Sequence, residues 1–562
     1  MSNQTGLSLS LRIVCFLCVV QQNCSTFGGS DNGIILNYHR TISVGGPVGQ
    51  IVSPSNGVDF ATSVQSIEYL TGLNELRSIL ATTTGRIRAY GSRWSYSNVF
   101  YTKATLVDTR GLNYARVGLD ANFVLPTAQH LREQFVVVQA GVAVRHLNQL
   151  LFENDLSLST SGSGDGQRLV GAVSTDTHGS HIEVGTMSSL VRAIHVLLGP
   201  EKREVVIQRE SLFTNELASG FFDGAELITD GSLFRATVVG VGSLGLIHAM
   251  IIEAVPLFLL ERQTKPLRVR QFKELVTSDF STLADLGFEG YENGALPQGL
   301  WVRFNPFSYR DRDKSMVMIL YREVEDDQLS FRDSKIDYIE GSMAEFRGVL
   351  LLANPILSLL LSASNVVHRT VMKVISGVAV LALTPPTQFG KKVIGYHKDF
   401  FGGTGELPEM DPIPIASIDT EVTVSSDNLL DALEVMTSEL HRCPFTVRYF
   451  LIRLTAPVDA LLSPSVFSPL TAHISMPSQY QRYLFTRTGP CIDQILRALA
   501  ESGIPHRAHM GKYIPESAAT FRTVWGGETI DAWKAEREKL LDTDVLRDRF
   551  ANDWLETVGL TS

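Results

Sequence analysis

Residues Leu169–His181 read Leu-Val-Gly-Ala-Val-Ser-Thr-Asp-Thr-His-Gly-Ser-His and crowd small side chains, hydroxyls and two imidazoles into one short stretch. Gly171 and Gly179 permit a close backbone approach that a Cβ would forbid. Ser174, Thr175, Thr177 and Ser180 set hydroxyls beside backbone amides, and successive N–H groups form a nest for an anion. Such a stretch can wrap a flat, polar, phosphate-bearing ligand, although its composition alone also fits a polar surface loop. Apolar runs on both sides imply that it is held rigidly. Gly91-Ser92-Arg93-Trp94-Ser95 follows the strand-like Ile87–Tyr90 and is a second nest of the same kind. Gly242 and Gly245 flank Ser243-Leu244 in a third glycine turn, which alone reads as a kink in a buried strand. Further on, Arg448–Thr455 alternates so that Val447, Tyr449, Leu451 and Arg453 share a face. A lone arginine on an apolar face requires an anionic or polar partner, because burying it unpaired is costly.

The motif Gly171-Ala-Val-Ser-Thr-x-Thr-His-Gly-Ser180 resembles the signature of the vanillyl-alcohol-oxidase-type (PCMH-type) FAD flavoproteins, in the aldonolactone and alditol oxidase branch. The resemblance implies that this loop, with Gly171, Ser174, Thr175, Thr177, His178, Gly179 and Ser180, lines the FAD pyrophosphate and the isoalloxazine edge. His178 then shapes the cofactor site. Asp176 departs from the pattern, and a carboxylate near phosphate must turn away or find a cation. Gly91, Ser92, Arg93, Trp94 and Ser95 match the family's pyrophosphate loop, whose histidine carries the flavin covalently. Trp94 stands at that position and has no suitable nucleophilic nitrogen, so FAD is expected to bind non-covalently, with Trp94 near its dimethylbenzene edge. Phe234–Pro256 resembles the block that closes the adenine pocket, through Gly242, Gly245 and the backbone near Ile247.

Arg453 matches the arginine of a Glu-x-Arg pair over the flavin, with Leu451 in place of the glutamate. Arg507-Ala-His-Met-Gly-Lys512 resembles Arg-x-His-Trp-Gly-Lys, which places His509 and Lys512 beside the ring's N1–C2=O edge. A cation there stabilises charge on the reduced ring. The resemblance therefore implies an α+β fold with a two-part FAD-binding domain and an inserted cap. The expected divisions are residues 1–60 as an extension, 61–258 for FAD, 259–500 for the cap and 501–562 returning to the FAD domain.

The implied reaction is oxidation of a CH–OH carbon in a sugar-acid lactone or polyol. Hydride passes to flavin N5, oxygen or another acceptor takes the electrons, and Arg453, His509 and Lys512 act on substrate and flavin. Leu451 and the apolar cap stretches favour a second reading, a sterol-like or other lipophilic alcohol. Trp94 and Asp176 leave a third, a non-catalytic flavin-fold binding protein. Oxidase and dehydrogenase are not distinguished by sequence.

The elements that must position these residues follow from periodicity. Leu73, Leu76, Ile79 and Leu80 mark a helix over Leu73–Thr82, and Val144, Leu147, Leu150 and Leu151 mark another. Thr105–Asp108, Phe135–Ala140, Leu300–Phe304 and Ser315–Tyr321 read as strands. Val191–Leu198 and Glu204–Gln208 read as a hairpin. Gly348–Ser362 and Val371–Leu383 are apolar but short for a bilayer. They suit core helices of the cap, or a lid touching a membrane surface.

The chain has 562 residues, which exceeds one hydrophobic core. A net charge of −10 without a basic run argues against nucleic acid. The five cysteines show no zinc spacing, and Cys443 and Cys491 read as free buried thiols in preference to a disulfide. No metal is expected. Leu9–Val20 resembles either a weak signal peptide or a disordered leader, and Asn23-Cys24-Ser25 is a sequon only in a secreted chain. The compartment stays open.

Overall fold

A computed structural model describes residues 34–36, 45–56, 66–199, 203–331, 365–384, 386–401, 417–443, 447–479, 485–514 and 517–561. The leader, the sequon, Cys15, Cys18, Cys24 and Gly348–Ser362 lie outside them.

The first half builds two main sheets. β1 (Gln50–Val52), α1 (Ser66–Thr82), β2 (Ile87–Tyr90) and β3 (Thr105–Asp108) form a parallel three-stranded sheet in the order β1-β3-β2, with α1 as a crossover. Tyr69, Leu73, Leu76 and Leu80 of α1 are spaced three or four apart, and all are buried. β4 (Ala115–Val117) and β5 (Phe135–Gln139) lead into α2 (Val144–Phe152) and α3 (Leu169–Ser174). β6 (Val191–Leu197), β7 (Glu204–Gln208), β8 (Glu226–Thr229), α4 (Gly231–Val238) and β9 (Leu246–Glu253) follow. Strands β4 to β9 make a six-stranded sheet in the order β8-β7-β6-β9-β5-β4. β5, β7 and most of β9 are buried on both faces, which explains their unbroken apolar sequences. Asp230 caps α4 by accepting from the amides of Ser232 and Leu233.

The second half is dominated by one sheet. Its elements are β10 (Leu259–Leu267), α5 (Val269–Thr277), β11 (Gly299–Phe304), β12 (Met316–Val324), α6 (Asn365–Leu383), β13 (Lys392–Tyr396) and β14 (Glu421–Ser425). They continue with α7 (Leu429–Arg442), β15 (Phe450–Thr455), β16 (Thr471–Ser475), α8 (Phe485–Glu501) and β17 (His506–Ala508). All pairings are antiparallel in the order β13-β10-β12-β11-β15-β16-β14-β17. One face packs on α5, α6, α7 and α8 through a core that includes Phe272, Met372, Met436, Ile452 and Ile495. The opposite face carries Leu451, Trp301 and Tyr321, and it looks toward the first half. After β17 the chain rejoins the first core through α9 (Ala518–Trp525), α10 (Gly527–Leu540) and the tail with Phe550 and Trp554.

Several expectations change here. Cys443 and Cys491 form a disulfide, with Cα atoms 5.5 Å apart, because the end of α7 lies against α8. Leu169–Ser174 is a short helix, not a loop, since Leu169, Val170, Ala172 and Val173 are all buried. Val447 leaves the alternation of β15, bridging to Ser478 and packing in the same core as Phe450 and Ile452. The returning segment, placed after residue 500, first adds β17 to the cap sheet at Val422–Val424 before it reaches the first core. The stretch Arg369–Gln388 is 20 residues long and apolar enough to cross a membrane by length and composition. In the fold, α6 buries Met372, Ser376, Ala379 and Val380 and exposes Val374, Val378 and Leu381.

Candidate active site

Three glycine-bearing turns that are distant in sequence meet beside α3. Ser92 Oγ donates to the carbonyl of Gly166 at 2.7 Å, which joins the Gly91–Ser95 turn to the loop before α3. The amide of Val241 donates to the carbonyl of Ser174 at 3.1 Å, bringing in the Gly242–Gly245 turn. The amide of Tyr96 and Oγ of Ser95 both donate to the Gly511 carbonyl, at 2.8 and 3.1 Å, and bring in the C-terminal motif. Beneath them lies Arg88, wholly buried on β2. It donates to the carbonyls of Val99, Val241, Gly242 and Phe550. Burial, with Arg537 nearby, lowers its pKa to about 9, so it stays charged at neutral pH.

The turns need their glycines. Gly245 has φ +112°, and a Cβ there would meet Val196 and the Leu197 carbonyl. Gly242 has φ +68° and lies against the Arg88 guanidinium. Arg93 and Val241 occupy the left-handed region at φ 57° and 46°, a strain that side-chain-bearing residues seldom carry. Ile247 is buried at the start of β9.

Around this junction runs a half-buried strip of Gly91, Ser92, Arg93, Trp94, Ser95, Thr175 and Thr177, with Gly171 exposed. A Cβ on Gly171 would meet no protein atom within 4 Å, so open groove lies over it. Trp94 lies over Gly166, where a Cβ would strike the indole at 2.8 Å. Thr160 Oγ1, buried at the adjoining loop, has no hydrogen-bond partner among the described residues. Exposed, amide-rich glycine turns with open space over Gly171 fit a dinucleotide laid along the strip. A separate half-open pocket of about 20 Å³, between Thr160, Ser180, His181, Tyr321, His397 and Phe401, has room only for a much smaller molecule.

Not every hydroxyl expected to face a ligand does so. Ser174 Oγ and Thr175 Oγ1 donate back to the carbonyls of Val170 and Gly171. Ser180 Oγ accepts from the Leu300 amide at 2.9 Å and docks the loop onto β11. Asp176, at φ 61°, turns away into the protein and accepts from the hydroxyls of Thr186 and Ser463. Burial raises its pKa to about 6, and those hydroxyls offset part of the cost.

His178 and Gly179 lead into a buried polar cluster on the inner face of the cap sheet. Its centre is Glu421 on β14, fully buried, which sequence reading missed. Ser475 Oγ donates to Oε2, as do Lys512 Nζ at 2.9 Å and Arg453 Nη2 at 3.3 Å. His178 Nε2 donates to Oε1 at 2.8 Å, and His473 Nδ1 lies 3.4 Å from it. Burial opposes a charged Glu421, but the Lys512 cation, with the hydrogen bonds from His178 and His473, holds its pKa well below the usual range. His178 and His473 stack at 3.6 Å with a 15° interplanar angle. Burial, followed by the Arg453 cation, pushes the His178 pKa far down, so its ring is neutral.

Lys512 also donates to Ser475 Oγ at 2.8 Å and pairs with Asp419 at 2.7 Å. Burial works against its charge, and Asp419 and Glu421 more than restore it. His509 is buried and accepts the Gly511 amide at Nδ1, and burial takes its pKa down to about 3. The donor atoms of His178, Glu421 and His473 lie within 4.8 Å of one another. Two protein cations already share that carboxylate, which makes the cluster an ion-pair network and a poor metal cage.

Sheet register explains the substitution at Leu451. Leu451 on β15 pairs with Ser475 on β16, and Ser475 pairs with Glu421 on β14. The carboxylate thus lies two strands from Leu451 on the same face. The available signal was the alternation Glu421-Val-Thr-Val-Ser and Thr471-Ala-His-Ile-Ser, which sets a polar row on an otherwise buried sheet.

No protein-family model matches the chain. It is 22% identical over 486 residues to an L-gulono-1,4-lactone dehydrogenase of Mycobacterium tuberculosis, covering 84% of this chain and 90% of that one. It is 34% identical over 177 residues to a putative D-arabinono-1,4-lactone oxidase of Neurospora crassa, covering 32% and 26%. Among solved structures it is similar to a solvent-stable cholesterol oxidase, with TM-score 0.59, 15% identity and coverage of 94% and 97%. A cholesterol oxidase from B. sterolicum gives TM-score 0.56 at 13% identity, with coverage of 94% and 96%. The chain is thus similar in sequence to lactone dehydrogenases and oxidases and shares the α+β fold of the cholesterol oxidases.

Proposed function

We propose that the protein is an FAD-dependent oxidoreductase that oxidises a CH–OH group of a sugar-acid lactone or polyol, with oxygen as the electron acceptor. Gly91–Ser95, Gly171, Thr175, Thr177 and Gly242–Gly245 would hold FAD, without a covalent link because Trp94 stands at the attachment position. When bound, it supplies the hydride acceptor at N5. The residues at its ring edge do the rest. Arg453 is buried on the sheet face beside His178 and is the cation best placed to stabilise negative charge on a substrate oxygen. Lys512 is held by Asp419, Glu421 and Ser475, so it acts as a fixed positive charge and not as a proton donor. His509, neutral at working pH, offers Nε2 as a donor. Residues 259–500 serve as the substrate cap.

One observation carries the reading. The three turns and the C-terminal motif converge, and they set the Arg453–Glu421–Lys512 cluster beside the open groove. The purified protein should be yellow, and its two visible flavin bands should bleach anaerobically with an aldono-1,4-lactone. Peroxide release in air identifies oxygen as acceptor. Acid precipitation should leave the flavin in the supernatant, and flavin in the pellet would refute non-covalent binding. A colourless protein would overturn the enzyme reading. Leu451, packed with Leu260, Trp301 and Phe401, supports testing lipophilic alcohols in the same screen.

A further inference from the structure

Behind the Gly242–Gly245 turn, the first core holds a chain of polar side chains that the candidate site does not use. His248 occupies a β-bulge: β9 pairs Ile247 with Val196 of β6 and then Ala249 with His195, which leaves His248 without a partner of its own. A bulge re-aims the side chain that it inserts. Here Nδ1 of His248 lies 3.0 Å from His195 Nδ1 and 3.3 Å from the Tyr69 hydroxyl, and Nε2 lies 2.7 Å from Gln139 Nε2. His195 Nε2 faces Glu204 Oε2 at 3.5 Å, and Arg77 grips Glu204 at 2.6 and 2.8 Å. Both imidazoles are buried.

One backbone amide fixes the protons on both rings. The Tyr114 N–H donates to Gln139 Oε1 at 3.1 Å, as does Asn56 Nδ2 at 2.7 Å. The other end of the Gln139 amide is therefore its NH2 group, which donates to His248 Nε2. The single proton of a neutral His248 is then on Nδ1 and points at His195 Nδ1. His195 in turn carries its proton on Nε2, toward Glu204. A second proton on either ring would meet an N–H already aimed at it. Turning the Gln139 amide over to make room would set its NH2 against the Tyr114 N–H. The titratable and charged groups around the pair are Tyr69 and Arg77 of α1, Tyr114 before β4, Glu204 of β7, and Asp223, which pairs with Arg77 at 2.7 Å. Burial, with His195 and Arg77, pushes the His248 pKa well down. Burial lowers that of His195 as well, although Glu204 favours its charged form.

We propose that Gln139, His248, His195 and Glu204 form an acid-sensitive latch that holds the bulge beneath the Gly242–Gly245 turn only while both imidazoles are neutral. Gly245 packs against Val196 and the Leu197 carbonyl, the residues that follow His195, so the turn rests on the strand that the latch ties. Opening draws protons from solvent: each freed ring takes one at its ordinary pKa of 6.5, and the closed rings take none. Closure is therefore complete above that pH and is lost as pH falls below it. The latch consists of protein atoms alone and holds whether or not the turn binds a nucleotide.

Hydrogen exchange of the full chain, followed by mass spectrometry and corrected for the intrinsic pH dependence of exchange, measures the opening. Protection of Gly245–Met250 should fall about 100-fold between pH 7.5 and 5.5, because each of two rings contributes about 10-fold per pH unit below its free pKa. Protection of β11 should change far less. His195→Asn keeps an acceptor for His248 and removes one titrating ring, and Gln139→Glu offers His248 Nε2 an acceptor in place of a donor. In either variant the fall should shrink to about 10-fold.

A second measurement needs no altered fold. Magnetic resonance of wild type carrying isotope-labelled histidine should show His195 neutral and protonated at Nε2, its signals being those that His195→Asn removes. Unchanged protection of Gly245–Met250 in wild type would overturn the latch, as would an equal fall across β11. A variant that keeps the full wild-type fall, or a His195 protonated at Nδ1, would do the same.

Discussion

Asp176 turns away from the exposed strip that its neighbours form. In a phosphate-binding loop its charge is unwelcome, and the left-handed turn at φ 61° sends it inward to Thr186 and Ser463. Burial raises its pKa from 3.8 to about 6. The folded protein therefore holds this proton more tightly than the unfolded chain. The stability it contributes is full below about pH 4 and is lost as pH rises through 6, at most about 3 kcal/mol. Asp176→Asn, which tolerates the same backbone, should melt higher than wild type at pH 7.5. The gap should close by pH 4, as thermal melts across that range will show. The position of this residue as an outlier in its motif was legible in the sequence, as was the need for a partner near Arg453. Glu421 was not legible, because its role depends on strand register: Leu451, Ser475 and Glu421 are far apart in the chain and become neighbours only when β15, β16 and β14 pair.

At the scale of elements, α3 joins the exposed glycine strip to the first core. Its apolar residues are buried, while Gly171 faces open space. Gly171→Val adds bulk where no protein atom stands. It should leave the melting temperature within a few degrees while the ratio of visible flavin absorbance to protein absorbance falls sharply. The helices behind the cap sheet carry a different constraint. The Cys443–Cys491 disulfide joins α7 to α8 across a sequence separation of 48 residues. Closing a loop of that length is worth about 4 kcal/mol in the chain-entropy account. Cys443→Ser with Cys491→Ser should lower thermal stability by a comparable amount, and wild type should yield two additional thiols in denaturant after reduction. The strands and helices with clean periodicity, such as β2, β5 and α2, were readable from the chain alone. The disulfide was not, because two cysteines on separate helices reveal nothing of their distance until the helices pack.

At the scale of the molecule, the fold places its two kinds of chemistry on opposite sides of one seam. The first half and the tail contribute backbone amides and glycines, and the cap sheet contributes charge. Ser180 crosses the seam to β11, and His178 crosses it to Glu421. This division was readable in outline, because motifs rich in glycine and hydroxyls precede Pro256 and the lone arginine follows it. The exact join was less readable, since the returning segment pairs with the cap sheet through β17 before it leaves.

The floor of the groove draws on both ends of the described chain. Arg88 reaches the carbonyl of Phe550, and Asn552 Nδ2 donates to the carbonyls of Asn98, Val99 and Tyr101. A polypeptide emerging from the ribosome would hold its early turns without these fastenings until its last few dozen residues had been made. Fastening of these early turns is thus a late event in biogenesis, and a chain interrupted near residue 540 would leave them untied even with every loop present.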